Sequence, residues 1–101
     1  MSGGFACDMT AIPAAERSAH HAVTRRVIAA AITRESADGF VFELPADEYD
    51  AVARFVAKER LCCPFLTFVV TARAEQPQVE LRISGPVGAK DLIRAELCLP
   101  L

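Results

Sequence analysis

The segment Ile28-Ala29-Ala30-Ala31-Ile32-Thr33-Arg34-Glu35-Ser36-Ala37-Asp38-Gly39-Phe40-Val41-Phe42-Glu43-Leu44 sets the architecture of this chain. Before the turn, Ile28, Ala30 and Ile32 alternate with Ala29, Ala31 and Thr33; after it, Phe40, Phe42 and Leu44 alternate with Val41 and Glu43. Successive side chains of a strand point to opposite faces, so a period of two marks strands that offer one face to a core. Ala37-Asp38-Gly39 supplies turn chemistry between them, because an Asp-Gly pair tolerates the positive φ of tight hairpins. The segment therefore predicts a β-hairpin, residues 28–36 against 39–44. Helix running on through Ala29–Ala31 is the competing reading of where the first strand begins.

Working outward, a helix precedes the hairpin. Thr10 is placed as its N-cap, with Pro13 early in the helix and Ala14 to Arg26 as its body; its apolar face is alanine with Val23 and Val27. The first dozen residues read as loosely structured. On the other side, Pro45 stops the strand, and Asp47 and Glu48 suit a helix first turn. Tyr49, Val52, Phe55, Val56 and Glu59 then fall on one helical stripe. Pro64 biases Cys63 away from helical backbone, so this helix ends near Leu61 or Cys62.

A second pair of strands follows. Leu66, Phe68, Val70 and Ala72 alternate with Thr67, Val69, Thr71 and Arg73, and beyond Glu75-Gln76-Pro77 the residues Val79, Leu81 and Ile83 alternate with Glu80, Arg82 and Ser84. Gly85-Pro86 ends that strand, and a last helix from Val87 to Leu97 is anchored by Leu92, Ile93 and Leu97. The expectation is an α+β domain over residues 1–101, in the order α-β-β-α-β-β-α. Its two hairpins form a four-stranded antiparallel or mixed sheet with helices packed on one face. Glu43, Thr67, Thr71, Arg73, Glu80 and Arg82 belong to the open face, as cross-strand partners in water.

Composition narrows the function. Eleven basic and thirteen acidic residues leave a net charge of −2, which disfavours a nucleic-acid module held by a basic field. No apolar run approaches the roughly 20 residues of a membrane span, and Met1 to Met9 has neither the basic start nor the apolar stretch of a secretory signal. A cytoplasmic location is expected. The four cysteines, Cys7, Cys62, Cys63 and Cys98, then read as reduced: core residues, metal ligands or redox thiols rather than a disulfide framework. No GxSxG, HExxH, GxGxxG or phosphate-loop pattern occurs, and no organic cofactor is expected.

Chemistry concentrates in Glu59-Arg60-Leu61-Cys62-Cys63-Pro64-Phe65. Glu59 lies on the apolar stripe, where a carboxylate must be paired, ligated or at a cavity mouth. Cys62 and Cys63 follow it by three and four residues, within reach on one helix face. Two thiols at a proline-terminated helix end can converge on a soft ion. Cys7 is the natural third ligand, and Glu59 a direct ligand or a proton acceptor beside the sulfurs. Adjacent His20 and His21 point about 100° apart on a helix, so at most one faces the site. The alternative for Cys62 and Cys63 is packing as small hydrophobes, and Cys98 is assigned to packing. A helix C-terminus and Glu59 both oppose a bare thiolate, which favours holding a metal over attacking a substrate.

At these residues the chain resembles a group of small bacterial proteins of unassigned activity. They share the core Glu-Arg-x-Cys-Cys-Pro-Phe, here Glu59, Arg60, Cys62, Cys63, Pro64 and Phe65. They also share an early Cys-Asp-Met/Leu-x-Ala, here Cys7-Asp8-Met9-Thr10-Ala11, and a closing segment similar to Gly85–Lys90 and Arg94–Leu97. The resemblance implies that Cys7 belongs with the pair and that Cys98 does not.

The expected function is a small thiolate-based binding protein for a soft metal or metalloid ion, Zn, Cu(I), Hg(II) or As(III), held by Cys7, Cys62, Cys63 and Glu59. The alternatives are a thiol redox protein or cysteine-nucleophile enzyme using the vicinal pair, and a structural module that forms a homodimer through strand edges.

Overall fold

The computed structural model describes residues 7–99. Residues 1–6, most of the start that reads as free of a secretory signal, and the last two residues of the closing tail lie outside them. Among the described residues the regular elements are α1 (Ala14–Ala30), β1 (Ile32–Glu35), β2 (Gly39–Pro45), α2 (Tyr49–Cys62), β3 (Thr67–Ala72), β4 (Gln78–Ser84) and α3 (Ala89–Glu96). Short 3-10 turns at Met9–Ala11 and Ala46–Glu48 precede α1 and α2. This is an α+β fold in the order α-β-β-α-β-β-α.

The sheet is antiparallel throughout, in the order β1-β2-β4-β3. The two hairpins therefore join through their second strands, with Phe40 opposite Ile83, Phe42 opposite Leu81 and Leu44 opposite Val79. β2 and β3 run the same way with β4 between them, so α2 carries the chain across one strand. The register puts Phe40, Phe42, Leu44, Val79, Leu81, Ile83, Phe68 and Val70 on one face. These pack with Val27 of α1, Ala51, Val52 and Phe55 of α2, and Ile93 and Leu97 at α3 in one core. The opposite face carries Glu43, Glu80, Arg82, Thr67 and Thr71, and Arg34 of β1 pairs there with Glu80 at 3.5 Å.

Three local expectations change. First, α1 runs to Ala30, and β1 is only four residues long. Alanine is the best helix former, and Ala29 and Ala30 prolong the helix against the weak alternation of Ile28 and Ile32. Second, Gly39 does not use positive φ; among the described residues the glycine in that region is Gly88, φ 93°. Gly39 is required for a different reason: a Cβ there would lie 1.9 Å from the carbonyl oxygen of Ile83 on the neighbouring strand. Third, residues 7–12 are packed rather than loose. Thr10 caps no helix; instead Asp8 accepts from its amide at 2.9 Å, and Pro13 leads into α1 with no side-chain cap.

Candidate thiol centre

The C-terminus of α2 is where the chain's chemistry gathers. Cys62 is the last residue of the helix, and Cys63, held before Pro64 at φ −126° and ψ 67°, leaves it while its amide still donates to the Glu59 carbonyl at 2.9 Å. That departure from helical backbone lets adjacent side chains converge: the Sγ atoms of Cys62 and Cys63 lie 3.6 Å apart, and both residues are fully buried. Glu59, one turn earlier, is 2% exposed and sets its Oε2 3.5 Å from Cys63 Sγ.

The N-terminal segment supplies the third sulfur. Cys7 and Cys63 form a disulfide, contrary to the expectation that all four thiols are free. The two cysteines are 56 residues apart in sequence, and only the fold brings them into contact. Non-covalent bonds hold this segment as well. The Asp8 amide donates to the Cys62 carbonyl at 2.8 Å, and Arg17 Nε donates to the carbonyls of Met9 and Ile12, each at 3.0 Å. Ile12 is fully buried against Cys62 and Cys63, with Met9, Phe65 and Leu66 around them.

Two residues outside the expected ligand set complete the site. His20 of α1 is buried, and its Nε2 lies 2.8 Å from Glu59 Oε1; the ring also stacks on Phe55 with centroids 5.9 Å apart. The other ring nitrogen, Nδ1, has no hydrogen-bond partner among the described residues. His21 is exposed, so one histidine of the pair faces inward, as the helical offset requires. Stepping back along the Val27 and Val23 stripe of α1 lands on His20, and that spacing was the available signal. Glu96, at the end of α3, is the second addition. Single ligand atoms of Cys7, Glu59, Cys62, Cys63 and Glu96 all lie within 4.8 Å of one another. Cys98 is exposed, at φ 53° just past α3, and is not part of this cluster.

The electrostatics oppose a thiolate. Burial, then the negative charge of Glu59, pushes the Cys62 thiol up to about 12. Burial, then Glu59, also holds the Glu96 carboxyl above the usual range, against the partial opposition of His21 and His20. Among the described residues no lysine or arginine forms an ion pair with Glu59 or Glu96; Lys58, next to Glu59 in sequence, pairs with Glu16, and Arg94, two residues before Glu96, pairs with Glu35 and Asp91. The centre is thus a cluster of sulfurs and two acids, with Glu59, Cys62 and Cys63 buried and Cys7 and Glu96 half-buried, and with His20 as the basic partner of Glu59.

Compared with known proteins, the chain matches no family model, no curated protein and no solved structure. No helix among the described residues is long and apolar enough to cross a membrane.

Proposed function

We propose that this protein, in its reduced form, binds a soft metal or metalloid ion through Cys7, Cys62 and Cys63, with Glu59 and Glu96 beside the sulfurs. One observation carries the reading: three sulfurs and two carboxylates from three separate parts of the chain share a sphere in which every chosen atom is within 4.8 Å of the others. Glu59 is compensated by His20, but packing alone gives no reason to bring half-buried Glu96 beside the thiols with no lysine or arginine paired to it among the described residues. Soft thiolates select Cu(I), Zn(II) and related thiophilic ions. A reducing compartment such as the cytoplasm would keep the three thiols available.

The disulfide itself favours a second reading, thiol–disulfide exchange. A Cys62 thiolate attacking Cys63 Sγ, 3.6 Å away, would form a Cys62–Cys63 bond and release the Cys7 thiolate. The high proton affinity of Cys62 weighs against it, because the attacking species is the thiolate.

Native mass spectrometry of the fully reduced protein separates the readings. It would be titrated with Zn(II), Cu(I), Hg(II) and As(III) against a small competing dithiol. One ion per chain, lost in Cys62→Ser/Cys63→Ser, is the expected result. No binding beyond that of the dithiol would overturn the ion-binding reading, and mapping of a Cys62–Cys63 bond in a redox buffer would support exchange.

A further inference from the structure

The spacing of the sulfurs and the charge around them specify the ion further, given the ion-binding reading above. With metal–sulfur bonds of about 2.3 Å, sulfurs 3.6 Å apart subtend an angle of about 100° at a shared ion. A linear two-coordinate ion on Cys62 and Cys63 would need their sulfurs about 4.6 Å apart, and a trigonal planar one about 4.0 Å, at the same bond length. At their present rotamers the Cys62 and Cys63 sulfurs are closer than either of those spans. The pair fits pyramidal or tetrahedral coordination.

Charge chooses between those two. A divalent ion on three thiolates leaves one net negative charge beside buried Glu59 and half-buried Glu96. A trivalent centre on three thiolates is neutral, and a neutral complex escapes the desolvation cost of a buried charge. Cys7 is held beside the pair by the Asp8 and Arg17 hydrogen bonds, so opening the disulfide leaves a third sulfur in place.

We infer that the ligand is a trivalent, three-coordinate metalloid hydroxide of the arsenite type, bound as a neutral tris-thiolate by Cys7, Cys62 and Cys63. A thiol reductant first opens the Cys7–Cys63 bond: two reductant thiols are oxidised to a disulfide and their protons pass to the two cysteines. The metalloid hydroxide then condenses with the three thiols. Three metalloid–sulfur bonds form, three metalloid–oxygen bonds break, and each hydroxide leaves as water with one thiol proton, with no change of oxidation state.

The test uses the reduced full-length chain with sodium arsenite, Zn(II) and Cd(II), each measured against the same small dithiol. One arsenic per chain is expected, with Cys7, Cys62 and Cys63 protected from alkylation and Cys98 still alkylated. The preference for protein over dithiol should be at least about tenfold greater for arsenite than for Cd(II), a difference of about 1.4 kcal/mol. Cys7→Ser should lower arsenite affinity at least about tenfold while Cys98→Ser leaves it unchanged. Far-UV circular dichroism of each variant checks that it is folded, and Cys62→Ala serves as the second ligand variant. Tight Zn(II) or Cd(II) binding with arsenite held no better than by the dithiol would overturn this inference and leave the soft-ion reading standing. Failure of every ion would overturn both.

Discussion

Opening the Cys7–Cys63 bond with a reductant should cost this protein a large share of its stability without unfolding it. The bridge closes a loop across a sequence separation of 56 residues. Chain-entropy reasoning converts a loop of that length into a stabilisation of about 4 kcal/mol at 25 °C, as a ceiling. A domain of about 100 residues shifts its midpoint by roughly 4–8 °C per kcal/mol, so the fall in Tm should be on the order of 20 °C. Typical domains hold about 5–15 kcal/mol, and the segment around Cys7 keeps its buried Ile12 and its hydrogen bonds to Cys62 and Arg17. The reduced protein should therefore remain folded at 25 °C, as ion binding requires. The assay is thermal unfolding by circular dichroism with and without a phosphine reductant, in the parent, Cys7→Ser and Cys98→Ser. The parent and Cys98→Ser should respond to reductant, and Cys7→Ser should melt low in both conditions. A parent Tm that ignores the reductant, or a Cys7→Ser variant that still responds to it, would refute the reasoning.

His20→Leu should destabilise by about 3 kcal/mol, because it leaves buried Glu59 without its partner, and His20→Leu/Glu59→Met should recover most of that loss. Urea titration of the full cycle measures the coupling, and strict additivity would show that the pair is energetically idle. In the disulfide form Cys98 should alkylate readily at neutral pH while Cys62 resists, its rate climbing toward about pH 12; a Cys62 onset below 9.0, its ordinary value, would contradict its burial. The folded state holds the Cys62 proton more tightly than the unfolded chain, so the stability tied to it is complete below pH 9.0 and is lost as pH rises toward about 12. Glu59→Gln should shift the onset down only in part, since burial is the larger cause. Gly39→Ala should cost at least about 2 kcal/mol in a urea melt, because its Cβ meets the Ile83 carbonyl; a change within experimental error would mean that the strands can part there.

The elements were legible because their hydrophobic periods are clean. Phe40, Phe42 and Leu44 announce β2, and Val79, Leu81 and Ile83 announce β4, at every second residue; Val52, Phe55 and Glu59 announce α2 at every third or fourth. Boundaries were legible where a proline imposed them, as Pro64 does on α2, and illegible where alanines left helix and strand both open, as at Ala29–Ala31. The strand order needed the two hairpins to be docked, which no local pattern encodes. The site divides along the same line. Glu59, Cys62 and Cys63 share one helix turn, and their convergence follows from helical spacing. Cys7 came into the expected ligand set through the resemblance and the freedom of an N-terminal segment, while its bond to Cys63 depends on tertiary contact. His20 and Glu96 reach the centre from α1 and α3 across the core, and a lone polar residue on a helix stripe does not say which element it will face.

Cys7 and Cys63 belong to both chemistries of the site, as the two halves of the disulfide and as two of the three proposed ligands, so oxidation and ion binding compete for both sulfurs. On the proposed reading that competition has a size. An ion present at about 100 times its dissociation constant stabilises the reduced form by about 2.7 kcal/mol. For a two-electron couple about 1.4 kcal/mol corresponds to roughly 30 mV, so the reduction potential of the disulfide should rise by about 60 mV at that concentration. Redox titration followed by thiol trapping, with and without arsenite, reads the shift directly. A protein that used Cys62 as a nucleophile would want the opposite surroundings, a nearby cation and a low proton affinity, whereas here burial and two acids hold the proton on. The same surroundings suit a ligand that arrives as a neutral hydroxide and takes the protons away as water. The absence of any potential shift with arsenite would separate the disulfide from the ion and leave the exchange reading in possession of Cys63.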